Sequence, residues 1–333
     1  MVEVETEDTT AISTVVHLSD ETQFEENEES KIGEGAFGAV YRGKMGAEER
    51  AVAIKIIPTA VLHREELECV RRLQCPFIVT YREVTEMGKR TFLVMDMCDE
   101  DLGHFVDRCG NGVALTDANV ETLIKHLAMG YFAIFESNVV HRDLKPQNIL
   151  LLLKKMESED EQDRIIRAKI SDFGCSRERA DVDEQHGGNV AGTPVYMAPE
   201  MGSNLVKNGE YTEAVDMWSM GVVLYEGMTS YLPFDEQTLC KLFLRAIDQS
   251  YAGYAAPMPP KGNAKFQEAV VRLLQIDPDV RLRARLFHNA IVYDHPFPDD
   301  GLFDRRLVET DEKRAVGWSR EPVDRLYTGS LST

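Results

Sequence analysis

The sequence predicts an α+β chain of two lobes: a small antiparallel sheet carrying one main helix, followed by a larger and mostly helical part. Three observations predict it. Up to about residue 95, short β-branched and apolar runs alternate with glycine and charged turns, the texture of strands. Beyond Asp96 the apolar residues recur at three- and four-residue intervals, the texture of amphipathic helices. At 333 residues, 43% hydrophobic and 28% charged, the chain has material for two packed bodies.

The elements follow in order. Residues 1–30 hold ten Asp or Glu and no Lys or Arg. Residues 1–23 are therefore expected to form an acidic, disordered arm, with Ala11 to Leu18 as the stretch able to add a strand. The small lobe is expected over 24–95. Within it Val40-Tyr41, Ala51 to Ile57, Phe77 to Tyr81 and Thr91 to Met95 read as strands. His63 to Leu73, with Leu67, Val70 and Leu73 at helical spacing, reads as the helix that Pro76 stops. The large lobe is expected over 96–297, with helices at Ala118 to Glu136, Ala214 to Met228, Leu239 to Asp248 and Lys265 to Leu274. A hairpin is expected from Ile149 to Leu153 and back from Ala168 to Ser171. Its connection, 154–167, carries five acids and reads as a floppy insertion. Residues 298–333 form a polar extension in which Trp318 and Tyr327 stand isolated.

The totals also exclude. A formal charge of −20 repels nucleic acid and anionic membrane surfaces, so neither is an expected partner. Six scattered cysteines with no C-x-x-C pair argue against a zinc site and a disulfide framework, and for a reducing compartment. The acidic N-terminus lacks a charged-then-apolar leader, and Ile149 to Leu153 is far too short to span a bilayer. A cytoplasmic location is expected, with nuclear access left open and no membrane insertion.

Four segments carry chemistry. Gly33-Glu34-Gly35-Ala36-Phe37-Gly38-Ala39-Val40 is a G-x-G-x-x-G pattern whose glycines let backbone N–H groups approach phosphate oxygens. The strand-like continuation after Gly38, where a dinucleotide fold needs a helix, disfavours NAD. Seventeen residues after Gly38, Lys55 closes an apolar strand and can place a point charge on phosphates. It needs a carboxylate, and Glu65, Glu66 and Glu68 are all on offer. His141-Arg142-Asp143-Leu144-Lys145-Pro146-Gln147-Asn148, taken with Asp172-Phe173-Gly174, is the most specific set. Asp143 can orient a hydroxyl and accept its proton. Lys145 can neutralise a transferring phosphoryl group, and Asn148 and Asp172 are hard oxygen ligands suited to Mg2+.

In order and spacing, GEGAFGAV, VAIK, HRDLKPQN, DFG and GTPVYMAPE resemble the signature of the eukaryotic Ser/Thr protein kinases, and the likeness runs from about residue 30 to 297. The resemblance implies the bilobal protein-kinase fold, ATP and Mg2+ as cofactors, and phosphoryl transfer to Ser or Thr hydroxyls of protein substrates. It implies that Gly33 to Val40 and Ala53 cover ATP, that Lys55 meets its phosphates, and that Glu66 is the partner of Lys55. It implies Met95 as gatekeeper, with Asp96 to Cys98 as the hinge that meets adenine. Asp143 would be the catalytic base beside Lys145, and Asn148 and Asp172 the metal ligands. Glu200 and Arg281 would brace the larger lobe. Val70, Tyr81, His141 and Phe173 would stack as an apolar column. Lys145 and Thr193 favour Ser/Thr over tyrosine.

Two departures bear on regulation and substrate. The position that normally takes an activating phosphate is Asn189. Acidic Asp181, Asp183 or Glu184 is expected to substitute, with Ser176 or Thr193 as the alternative switch and an upstream activating kinase as its partner. Val190, Pro194 and Met197 would line the pocket for an apolar residue after the phosphoacceptor, while Asp101 would favour an upstream basic one. The competing reading is a catalytically inactive scaffold. Such members lose the lysine, the catalytic Asp or the metal-binding Asp, and Lys55, Asp143 and Asp172 are all present.

Overall fold

A computed structural model describes residues 15–35, 38–61, 73–110, 112–158, 161–173, 177–178, 194–204 and 212–298. The described residues fall into two compact units, one comprising residues up to Val61 together with Thr80–Met97, the other Leu73–Val79 and everything from Cys98 onward.

The first unit is a seven-stranded antiparallel sheet. Its strands are β1 (Val15–His17), β2 (Thr22–Glu25), β3 (Lys31–Gly35), β4 (Gly38–Met45), β5 (Arg50–Pro58), β6 (Tyr81–Met87) and β7 (Arg90–Asp96). They lie in the order β1-β2-β4-β5-β7-β6, with β3 also paired to β4. β5 and β7 are central, and their long apolar runs are buried from Val52 to Ile54 and from Thr91 to Met95. The β6–β7 hairpin closes in two residues, Met87 pairing Arg90. Such a turn needs positive φ, which Gly88 supplies at +64°. Phe24, Ile54, Phe92 and Val94 form the heart of one face, with Val16 and Tyr41 against them.

That cluster corrects the expected arm. Residues 15–23 are not disordered: β1 pairs antiparallel with β2, and Val16 and Leu18 join the core. Ser19 and Thr22 both donate to Glu83 Oε2, at 3.1 and 2.7 Å. Two apolar side chains and two hydroxyls outweigh the local excess of acid. The strand expected at 77–81 is also displaced. Phe77 to Val79 run beside the second unit's hairpin, where Ile170 N donates to Phe77 O and Val79 N to Ile170 O, both at 2.9 Å. The sheet strand starts at Tyr81 instead. As an edge strand it exposes Arg82 and Glu86, and those charges, with Glu83, disguise it in the sequence. The helix expected at His63 to Leu73 lies almost wholly outside the described residues.

The second unit begins with β8 (Glu100–Asp101), α1 (Leu102–Cys109) and α2 (Asp117–Glu136). These are followed by β9 (Val139–Val140), β10 (Ile149–Lys154), β11 (Arg164–Ile170) and β12 (Arg177–Glu178). Five helices complete it: α3 (Pro199–Asn204), α4 (Ala214–Thr229), α5 (Glu236–Asp248), α6 (Ala264–Leu273) and α7 (Ala284–Val292). Side-chain caps start α1, α2, α5 and α6, where Asp101, Thr116, Asp235 and Asn263 each accept a backbone N–H of the first turn. α4 is apolar nearly all round and is the buried axis of the unit, with Met217, Trp218 and Val222 fully enclosed. The four helices read from the sequence are present; α1, α3 and α7 went unread. Among the described residues no helix is long and apolar enough to cross a membrane.

The connection 154–167 is a second correction, because its described residues are clamped. Asp163 accepts Arg108 Nη2 and Lys155 Nζ, each at 2.7 Å, and the backbone N–H of Met156 at 3.1 Å. Its own carbonyl accepts Asn119 Nδ2 at 2.9 Å, and Asn119 Oδ1 accepts the N–H of Ile165. One of the five acids that made the segment look floppy is the post it is tied to.

Candidate active site

In the first unit the glycine pattern forms the β3–β4 hairpin. Gly35 pairs with Gly38, and Val40 pairs with Lys55 across β4 and β5. The expected strand after Gly38 is therefore present. Gly38 sits at φ +148°, and a Cβ there would lie 1.8 Å from the backbone oxygen of Ile56, so no other residue fits. Glu34 binds Lys31 Nζ at 2.7 Å, on the outside of the hairpin. Ala53 is buried opposite Met95, itself buried on β7, and Lys55 faces Leu93 on the same strand pair. The Asp96 carboxylate is committed to Arg50 Nη2 at 3.2 Å and Arg82 Nε at 2.7 Å. Any contact of Asp96 with a base would thus rest on its backbone.

In the second unit the segment from His141 to Asn148 folds back on itself. A short 3-10 turn at Pro146–Asn148 brings Asn148 under Asp143. Asp143 is 8% exposed. Its Oδ2 accepts Lys145 Nζ at 2.7 Å and Asn148 Nδ2 at 3.0 Å, and its carbonyl accepts the same amide nitrogen at 2.7 Å. With its Nδ2 used on Asp143, the Asn148 amide presents Oδ1 as its remaining polar atom. Ser171 donates both its N–H (2.8 Å) and its Oγ (3.0 Å) to the carbonyl of Asn148. That places Asp172, the next residue, beside Asn148 in the chain path, in the left-handed region at φ +61°.

Two residues frame this loop that sequence reasoning gave no role. Asp216, fully buried on α4, accepts the backbone N–H groups of His141 and Arg142 at 2.6 and 2.7 Å, and Tyr131 Oη at 2.8 Å. Burial pushes its carboxyl above the ordinary carboxylate range, against the pull of His141 and those donors. Ser171 O meets His141 Nε2 at 2.9 Å, while His141 Nδ1 accepts the Asp143 N–H at 3.3 Å, so the imidazole is protonated on Nε2. The His141 ring lies 4.9 Å from that of Phe173, giving two members of the expected column. Asp216 stands 75 residues from His141, too far for local spacing to find.

Glu200 and Arg281 form the expected ion pair, bidentate at 2.5 and 3.0 Å. Asp101, expected to favour an upstream basic residue, caps its own helix instead: it accepts His104 N at 3.0 Å and meets His104 Nδ1 at 2.5 Å. That hydrogen bond holds the His104 imidazole above its usual pKa. Ala36, Phe37, Glu66, Val70, Gly174, Ser176, Asp181, Asp183, Glu184, Asn189, Val190 and Thr193 lie outside the described residues.

The model of the protein kinase domain matches residues 26–293. The chain belongs to the protein kinase domain family. It is 28% identical over 274 residues to "Serine/threonine-protein kinase ATG1a" of Arabidopsis thaliana, covering 80% of this chain and 41% of that protein. It is 30% identical over 260 residues to "Serine/threonine-protein kinase H1 homolog" of Danio rerio, covering 76% and 58%. To "Serine/threonine-protein kinase Nek5" of Mus musculus it is 31% identical over 311 residues, covering 89% and 46%. The chain thus spans about half the length of these relatives. Protein kinases use ATP with Mg2+, and the donor set of this kinase domain fits the metal. Asn148 and Asp172 supply neutral and anionic oxygen, and a magnesium site completed by substrate phosphates needs few protein ligands.

Proposed function

We propose that this chain is a Ser/Thr protein kinase that transfers the γ-phosphoryl group of ATP to hydroxyls of protein substrates. The observation that carries the reading is the cluster of Asp143, Lys145 and Asn148, held within hydrogen-bond distance of one another in a loop pinned by Asp216. Asp143 orients the incoming hydroxyl and takes its proton as the new O–P bond forms. The bond from the γ-phosphorus to the bridging oxygen breaks, and ADP leaves with the electron pair. Lys145, kept at 2.7 Å from Asp143, neutralises the oxygens of the group in transfer. Lys55 holds the phosphates of ATP from β5, and the backbone of the β3–β4 hairpin covers them. Asn148 and Asp172 would hold Mg2+, which supplies charge neutralisation on the phosphate oxygens when bound. Catalysis then rests on positioning and fixed charge. We assign Glu66 as the partner of Lys55, an upstream kinase or an acidic activation segment as the regulator, and the cytoplasm as the compartment.

The test is transfer of labelled γ-phosphate, with Mg2+, to a degenerate Ser/Thr peptide library by the wild-type chain and by Asp172→Asn. Labelling by wild type alone supports the reading. Binding of MgATP with no transfer by either protein, before and after treatment with activating kinases, overturns it in favour of an inactive scaffold.

A further inference from the structure

In the first unit, two arginines from different strands converge on one carboxylate oxygen. Asp96 Oδ1, at the end of β7, accepts Arg82 Nε of β6 at 2.7 Å and Arg50 Nη2 of β5 at 3.2 Å. β5 and β6 flank β7 in the sheet, so the carboxylate is held from both sides. The Asp96 side chain is 12% exposed, against 37% for Arg82 and 62% for Arg50. Arg82 is also the extra residue of a β-bulge. Tyr81 pairs with Met95 and Glu83 with Val94, which leaves no residue opposite Arg82. A bulge re-aims a side chain, and this one turns its guanidinium onto Asp96.

Register places the two arginines behind the sheet. Asp96 pairs with Val52 and Val94 with Ile54, and Val52, Ile54 and Val94 belong to the apolar cluster around Phe24. Met95, Ala53 and Lys55 alternate to the opposite face, the one that carries the lysine meant for ATP. The ladder of β7 ends at Asp96, and the next strand begins only at Glu100. The Asp96 N–H reaches Thr80 O at a long 3.3 Å. Where the ladder stops, two charge-assisted contacts from the far face take over the hold on the chain.

We propose that Arg82, supported by Arg50, is a positioning residue for adenine. By fixing the Asp96 carboxylate from behind, it sets the Asp96 carbonyl that accepts the 6-amino group of the base. The proposal rests on the kinase reading above, with Asp96 to Cys98 as the segment that meets adenine. Both arginines act through Asp96 and not on the nucleotide.

The test compares the full wild-type chain with Arg82→Ala, Arg82→Lys and Arg50→Ala. Each is given ATP and purine riboside triphosphate, which lacks the 6-amino group, with Mg2+. Arg82→Ala is expected to raise KM for ATP about three- to fivefold, the scale of one ion pair with a half-exposed partner. Its kcat and its KM for peptide should stay at the wild-type values. KM for purine riboside triphosphate should barely move, so the variant discriminates less between the two nucleotides. Arg82→Lys should restore part of the loss, and Arg50→Ala should act in the same direction but more weakly. A merely structural role would raise both nucleotide constants in parallel. Parallel rises, or an unchanged KM for ATP, overturn the proposal. Kd for both nucleotides is measured by titration calorimetry alongside the kinetics. A chain that binds ATP without transferring phosphate would sink the kinase reading, yet its Kd values would still decide the role of Arg82. A wild-type chain that binds neither nucleotide overturns both.

Discussion

Asp216 Oδ1 accepts the backbone N–H of Arg142 at 2.7 Å, and Arg142 stands at φ +66°, a conformation that a side chain of its size rarely adopts. The carboxylate holds that backbone open, and Asp143 follows directly. Asp216→Asn keeps the volume but replaces one acceptor oxygen with an NH2 that faces a donor. We expect a stability loss of about 1–3 kcal/mol from the unsatisfied buried donor. Phosphotransfer should fall by roughly tenfold or more as Asp143 loses its setting. Denaturant unfolding and steady-state kinetics check both, and a variant with unchanged kcat would remove Asp216 from the positioning role.

Arg281 is 2% exposed and uses all its donors. Beyond the two oxygens of Glu200 it serves the carbonyls of Gln275, Ala214 and Ile276, at 2.8, 2.7 and 3.2 Å. Lysine has three N–H groups for these five acceptors, so Arg281→Lys is not a conservative change. Arg281→Met should cost about 3–5 kcal/mol, because it strands the largely buried Glu200 carboxylate. Removing both partners, in Glu200→Leu with Arg281→Met, should cost less than the sum of the single changes. Additive losses in a chemical-denaturation cycle would show that the pair does not act as a unit.

The parts of the site that were legible are those whose chemistry is local. Asp143, Lys145 and Asn148 fall within six residues, and one 3-10 turn folds them together, so spacing in the sequence becomes distance in space. The glycine hairpin is legible for the same reason. Asp216 and Asp163 are the opposite case. Their partners lie 75 and 55 residues away, and a lone acid in an apolar helix or a charged loop looks alike whether it faces solvent or holds a backbone. The N-terminal strands were missed because net charge dominates a composition count, while two side chains, Val16 and Phe24, decide the packing.

Gly38 offers a test of the nucleotide half. Its φ of +148° and the 1.8 Å approach of a hypothetical Cβ to the Ile56 oxygen act together, so Gly38→Ala must push β4 away from β5 or bend the hairpin. Backbone strain of this kind costs about 1–3 kcal/mol. Because Val40 pairs with Lys55, the displacement should reach the lysine and raise KM for ATP more than KM for peptide. Equal changes in both would indicate general destabilisation instead.

His126 supplies the clearest dependence on pH. Its ring stacks on Phe77 at 4.5 Å, and its Nδ1 accepts the Ala168 N–H at 3.1 Å, an arrangement only the neutral imidazole can make. Burial, helped by the charge of Arg167, holds its pKa down at about 4. In the unfolded chain it titrates near 6.5, so between about 6.5 and 4 the unfolded state binds the extra proton. The depressed folded value therefore means that stability falls as the solution is acidified through that window. His126→Asn keeps an acceptor for Ala168 and removes the titration. It should be less stable than wild type at pH 7.5, for loss of the stacked ring, yet lose less stability on going from pH 6.5 to 5. Carboxylates titrate in both proteins and cancel in the difference, so parallel curves of unfolding free energy against pH would show that His126 is not the group responsible.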